Sequence, residues 1–335
     1  MVDQVPGFLQ KFSSPDSRPG LSWVRLTYWT CGNTNHFPAL VSTINNYHAH
    51  GIRVLLLICH GDLQSIRKDL GTTSSLLSVL DAVQCGNEEE TQNTPAAITN
   101  FVEFYNYCET TAHSVRSDIP VLLGAFTPQV VDSPDGQAHL QAQIGYLNSL
   151  QIAMRLLPSQ TEWDWHQQRV GLVDSWHNGY PDPNDNNLLD LFNYWAGMFQ
   201  VSLSDLGKHL WVTEGSGCFQ GCNIDVNSSY QVAVSHILTL ITDVQTAKQY
   251  AVPFFYFSSK DFVQYEHKHN VFYPMGVLDS DGNPKPLRSD LGAASPTLML
   301  SCSGSKVSVS DQARLLTDLY HDCTLPSNYQ NILTK

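Results

Sequence analysis

Apolar runs and helical periods alternate along most of this chain. Leu21-Ser-Trp-Val-Arg-Leu-Thr-Tyr-Trp29 is rich in aromatic and β-branched residues and is expected as a strand. From Phe37 to His50, the residues Leu40, Val41, Ile44 and Tyr47 recur with helical spacing, and Gly51 ends the run. Ile52-Arg-Val-Leu-Leu-Leu-Ile-Cys59 is almost continuously apolar, the mark of a strand covered on both faces. A short helix over 74–79 then leads to a strand over 82–88. Pro95 opens a long helix over 96–113, with Ile98, Phe101, Val102, Tyr105 and Cys108 on one face. Further strands are expected over 119–126, 170–177, 209–217 and 252–257, separated by helices over 138–156, 188–199 and 230–250.

This alternation argues for a parallel sheet with helices outside it. No Gly-x-Gly-x-x-Gly follows the first strand, and neither a phosphate-binding Gly-x-x-x-x-Gly-Lys-Ser/Thr loop nor a Gly-x-Ser-x-Gly elbow occurs. Polar residues suited to chemistry recur instead at the carboxyl ends of many strands: Trp29, His60, Glu88, Gln129, His177, Glu214 and Lys260. A (β/α)8 TIM barrel distributes its site in this way. The expected fold is therefore an α/β barrel whose first β/α unit is degenerate or truncated, since residues 1–20 offer only Val5–Leu9 as a short strand. The barrel is assigned to residues 1–295, and residues 296–335 to a C-terminal extension packed on it.

Charge narrows the partners. The chain has 31 acidic against 18 basic residues, a formal net charge of −13, which repels nucleic acid and leaves a neutral polymer unaffected. No apolar run approaches the roughly 18 residues of a membrane-spanning helix. The first residues show no signal peptide, so the chain is either cytosolic or begins after a removed signal. Eight cysteines without a Cys-x-x-Cys pair make a zinc ribbon an unsuitable reading. Cys218 with Cys222, and Cys302 with Cys323, have the spacing of local disulfides, and the Asn227-Ser-Ser229 sequon points the same way, to an oxidising, extracellular compartment. Cys85 is read as a packing residue. A monomer without cofactor is expected.

Two stretches carry the chemistry. Leu210-Trp-Val-Thr-Glu-Gly215 delivers a glutamate where turn chemistry would favour Asn, Asp or Gly, and Ala82-Val-Gln-Cys-Gly-Asn-Glu88 has the same form. Two strands that each end in a glutamate suggest a carboxylate pair facing one cleft. Glu88 also heads the run Glu88-Glu-Glu90, which by itself reads as a solvated cap, and Arg25 also suits a buried ion pair. Trp29 and Trp176 suit sugar stacking, because apolar sugar faces pack on aromatic rings, and equally suit a core. His60, His177, Tyr180 and Lys260 complete the binding candidates. Metal catalysis through His60, Asp62, His177 and Glu214 is the competing class, but none of these four stands in a His-x-His or His-Glu-x-x-His pairing, and no metal is expected.

The segments Gly86-Asn-Glu88 and Trp211-Val-Thr-Glu-Gly215 resemble the acid/base and nucleophile strands of the large clan of retaining (β/α)8 glycoside hydrolases. Val24-Arg-Leu-Thr-Tyr-Trp29 resembles that clan's second strand, Asp174-Ser-Trp-His177 its sixth, and Met275–Pro286 the segment after its eighth. The tryptophan that usually ends the eighth strand is replaced by Phe257-Ser-Ser-Lys260. The resemblance implies a retaining hydrolase of β-linked glycans, with β-glucan favoured and xylosidase- or mannanase-like specificity as the alternative. It implies Glu214 as nucleophile, Glu88 as acid/base, Asn87 as a contact to the sugar hydroxyl and Arg25 as the support of the nucleophile. Such a pair must stand about 5–5.5 Å apart. Glu88 should have its acidity weakened by burial, whereas Glu89 and Glu90, leading into a loop, should be solvated and ordinary. The different-class alternative is a carbohydrate-binding barrel without activity.

Overall fold

The computed structural model describes residues 22–28, 31, 37–60, 75–127, 134–157, 163–174, 187–215, 243–257, 259, 262–266, 269–273, 278, 281, 297–302 and 305–308. Seven parallel strands pair in chain order: β1 (Trp23–Thr27), β2 (Arg53–Ile58), β3 (Ala82–Cys85), β4 (Val121–Phe126), β5 (Val170–Asp174), β6 (Leu210–Gly215) and β7 (Phe254–Tyr256). Between them lie α1 (Phe37–Ala49), α2 (Ser75–Val79), α3 (Pro95–Val115), α4 (Pro134–Arg155) and α5 (Asn187–Phe199). Residues 243–249 form one more helical segment before β7. Each β/α connection returns the chain to the same edge of the sheet, so the carboxyl ends of all the strands gather on one rim.

The sheet curls until its edges meet. Trp23 of β1 stands edge-on to Trp211 of β6, ring centroids 5.2 Å apart, and to Phe255 of β7 at 6.0 Å. With Leu55, Ala82 and Leu122 these rings fill the barrel interior. The alternate residues, such as Leu26, Leu56, Val83, Leu123, Leu172 and Val212, face the helices and join Ile44, Phe101, Tyr105, Leu147 and Trp195 in the larger core. The architecture is a nearly closed (β/α)8-type barrel with seven strands among the described residues.

The expected elements recur with trimmed ends. The strand foreseen over 82–88 stops at Cys85, and the one foreseen over 170–177 is described to Asp174. The helix foreseen over 138–156 begins earlier, at Pro134. Thr94 caps α3, its hydroxyl accepting from the Ala97 N–H at 3.2 Å, with Pro95 in the first turn where a missing N–H costs nothing. Two hairpins had no counterpart in the sequence reading: β8 (Phe262–Glu266) with β9 (His269–Tyr273), and β10 (Thr297–Cys302) with β11 (Ser305–Ser308).

The reading of Cys85 as a packing residue is corrected. Cys85 shares the outward face of β3 with Val83, and there it is joined to Cys108 of α3 in a disulfide. A second disulfide, Cys31–Cys59, links the segments that follow β1 and β2. The expected pairing of Cys218 with Cys222 lies outside the described residues, and so does Cys323, the expected partner of Cys302. No described helix is long and apolar enough to cross a membrane.

Candidate active site

The interior face of the barrel changes character towards its carboxyl rim. Trp23 and Ala82 belong to the apolar filling, and two residues further along their strands come Arg25 and Gln84 on the same face. A guanidinium buried above an apolar plug needs partners, because its desolvation otherwise costs several kcal/mol. Arg25 finds three. Its Nε donates to Gln84 Oε1 at 3.1 Å, Nη1 to Glu214 Oε2 at 2.9 Å and Nη2 to Asn87 Oδ1 at 2.7 Å.

Glu214 reaches this network through an irregularity in β6. Val212 faces the helices and pairs with Leu172, so strict alternation would send Glu214 outward too. The next pairing is Val173 with Glu214, which leaves Thr213 as an extra residue. This bulge turns the glutamate inward, to the side of Arg25.

Beyond β3 the chain makes a tight corner. Gly86 has φ +92°, and a Cβ there would meet Phe101 Cε2 at 2.5 Å, so glycine is required for both conformation and space. Glu88 is left-handed as well, with φ 52° and ψ 38°, which for a glutamate costs roughly 1–2 kcal/mol. Its N–H donates to Ala125 O at 2.8 Å, and its Oε1 accepts from the Thr127 hydroxyl at 2.7 Å. Both contacts anchor it to the end of β4.

Asn87 is oriented by its neighbours. Its Oδ1 accepts from Arg25 and also from Gln84 Nε2 at 3.2 Å, while that same Gln84 amide donates to Gly86 O at 2.9 Å. With both donors on the carbonyl side, the Asn87 amide nitrogen faces away from them, 3.4 Å from Glu88 Oε2. The chain Glu214–Arg25–Asn87–Glu88 is thus continuous, joining the two glutamates across the rim.

The two carboxyls have different surroundings. Glu214 faces a cation directly. Glu88 is pushed up from the ordinary carboxyl range, chiefly by burial and further by the charge of Glu214; the Thr127 hydrogen bond and Arg25 oppose the shift. The expectation that Glu89 and Glu90 are solvated and ordinary is corrected. A short 3-10 turn over Glu89–Gln92 folds them back against the barrel end. Burial raises Glu89, and it pushes Glu90 up to about 7. Glu90 Oε1 accepts the backbone N–H of Thr127, and its Oε2 is wholly buried.

Of the residues singled out from sequence, Arg25, Asn87, Glu88 and Glu214 are brought together. His60 is not in their network; its exposed residue stacks its ring on Phe104 of α3, centroids 5.1 Å apart. Trp29, Trp176, His177, Tyr180 and Lys260 lie outside the described residues. Gln84 and Thr127 escaped notice, and Glu90 was expected in solvent. Gln84 left a usable signal, a lone amide inside the apolar strand Ala82–Cys85. Thr127 left none, and nothing in the polar run Glu88-Glu-Glu90 marks Glu90 as buried. No cluster of three or more potential metal-ligating side chains occurs among the described residues.

No protein-family model matches this chain, and no curated protein matches it. Solved structures match its shape. A glucosidase from Croceicoccus marinus aligns over 86% of this chain and 64% of its own, with a TM-score of 0.53 and 12% identity. A β-glycosidase aligns over 85% of this chain and 84% of its own, again with a TM-score of 0.53 and 12% identity. The chain therefore spans less than two thirds of the length of the first of these. At that identity the likeness is one of fold.

Proposed function

We propose that this protein is a retaining glycoside hydrolase acting on β-linked glycans, with Glu214 as nucleophile and Glu88 as acid/base. The observation that carries the reading is the contrast between two linked carboxyls on one barrel rim. One is paired with a guanidinium and the other is desolvated among weaker donors. Environments that separate two carboxyls in this way divide the roles of nucleophile and acid. The fold shared with a glucosidase and a β-glycosidase supports the same reading.

The chemistry follows from the contacts. Glu214 Oε2 is engaged by Arg25, so we assign Oε1 as the atom that attacks the anomeric carbon. As the glycosidic bond breaks, Glu88 gives its proton to the departing oxygen. Glu88 Oε1 accepts the short bond from the Thr127 hydroxyl and Oε2 only the 3.4 Å contact from the Asn87 amide, so we assign the transferable proton to Oε2. A covalent glycosyl–Glu214 ester results. Glu88, now a carboxylate, takes a proton from water, whose oxygen attacks the same carbon and releases Glu214. Asn87, its carbonyl held by two donors, presents an N–H for the sugar hydroxyl beside the anomeric carbon. β-Glucan is the favoured substrate class, ahead of xylan and mannan, and an oxidising compartment suits the two disulfides.

The test is cleavage of a panel of β-glucans, xylan and mannan, with the anomer of the first product followed by NMR. Release of the β-anomer by the wild type, and its loss in Glu214→Ala, is expected. A folded wild type that binds oligosaccharides but cleaves none of the panel would make the protein a binding barrel instead.

A further inference from the structure

Thr127 touches two carboxyls at once. Its hydroxyl donates to Glu88 Oε1, and its backbone N–H donates to Oε1 of Glu90. One residue at the end of β4 therefore fixes both side chains, and the left-handed turn at Glu88 brings them to the same anchor. We propose that Glu88 and Glu90 form a single proton-holding unit bridged by Thr127, with Glu90 the positioning residue that governs when Glu88 gives up its proton. The proposal rests on the assignment of Glu88 as acid/base.

A glutamate that only capped the 3-10 turn would keep its carboxyl in water. Glu90 instead buries Oε2 completely and spends Oε1 on a residue that already holds the acid/base. The groups around the unit are few in kind. Glu89 comes from the same turn and Tyr146 from α4, where the phenol lies in the field of both Glu90 and Glu89 and is pushed up by burial. Phe101 of α3 covers the corner at Gly86 with an apolar ring. Arg25 and Glu214 act on Glu88 from the barrel interior. Ionised Glu88 in turn raises Glu90, on top of the larger effect of burial.

Two like charges on one anchor titrate as a pair. When both protons are gone, each carboxylate disfavours the other. Glu88 ionises first and its charge then raises Glu90, so Glu90 acts on Glu88 through the shared Thr127 anchor and not through its own charge.

The titrations are read without substrate, by 13C NMR of the glutamate carboxyls in the full chain, assigned with the single variants. Glu88→Gln is expected to lower the Glu90 titration by about one pH unit, the size of coupling that defines such a pair. In the pH dependence of kcat/KM, Glu90→Ala should move the basic limb to higher pH, because it frees the Thr127 hydroxyl that lowers Glu88. Glu90→Gln, whose amide still accepts from the Thr127 N–H, should leave that limb in place. Thr127→Val should move it the same way as Glu90→Ala, because the hydrogen bond it removes lowers Glu88. Unchanged Glu90 titration in Glu88→Gln, or a basic limb that Glu90→Ala leaves in place, would overturn the proposal. A coupled pair found in a protein that cleaves no β-glycan would sustain the coupling and overturn the catalytic reading alone.

Discussion

Arg25 and Glu214 stand 189 residues apart in sequence and 2.9 Å apart in space, in a pair whose side chains are only 11% and 12% exposed. Such a pair gains little as a unit, because desolvating both ions offsets most of their attraction. Losing one partner is another matter, since the survivor keeps its desolvation cost without compensation.

Arg25→Met should therefore destabilise the fold by about 3–5 kcal/mol, seen as a lower urea midpoint at unchanged slope. Adding Glu214→Gln should restore much of the loss. Arg25→Lys keeps the charge but not the fork that reaches Gln84, Glu214 and Asn87 together, so kcat should fall well before stability does. A double variant no more stable than Arg25→Met would show that the pair does not carry this energy.

The two glutamates should respond differently to the leaving group. Glu88→Ala should lose natural glycans while retaining aryl glycosides whose leaving group departs without a proton; Glu214→Ala should lose both. Azide is expected to rescue Glu88→Ala with a β-glycosyl azide as product, and Glu214→Ala with the α-anomer. Identical products from the two rescues would remove the division of roles.

Gly86→Ala tests the corner. The new methyl meets Phe101 Cε2 at 2.5 Å, and φ +92° is closed to alanine, so a loss of roughly 1–3 kcal/mol is expected. Phe101→Leu in the same chain removes the clash and leaves the backbone strain. The double variant should therefore melt above the value expected from adding the two single losses. Strict additivity would mean the ring contact contributes nothing.

Stability should also depend on Asp243. Burial pushes this carboxyl up to about 8, against the opposing hydrogen bond with Asp174. The unfolded chain gives up the same proton near pH 3.9. Between those values the unfolded state binds fewer protons than the folded one, so stability falls as pH rises through this window. Glu90, raised to about 7, works in the same direction. Tm should decline from pH 4.5 to 8 in the wild type, and more shallowly in Asp243→Asn. Parallel Tm curves for the two proteins would show that Asp243 titrates normally.

The sequence by itself determined the alternation of strands and helices and the residues that end the strands. Backbone geometry sets a period of two or of 3.6 whatever surrounds the chain, so runs such as Arg53–Ile58 and the stripe along α3 are readable locally. Glu88 and Glu214 were legible for the same reason, as glutamates where turn residues belong. Tertiary structure decided what surrounds them. Only the extra residue in β6 turns Glu214 inward, and only curling of the sheet brings Arg25 to partners 59, 62 and 189 residues away. Cys85 and Cys108 meet because one outward strand position faces one helix, across a separation that no local motif marks. The run Glu88-Glu-Glu90 reads as a solvated cap because its own composition is polar. The turn carries Glu90 against the end of β4, where it meets the Thr127 N–H, and a carboxyl's desolvation depends on what packs over it rather than on its neighbours in the chain.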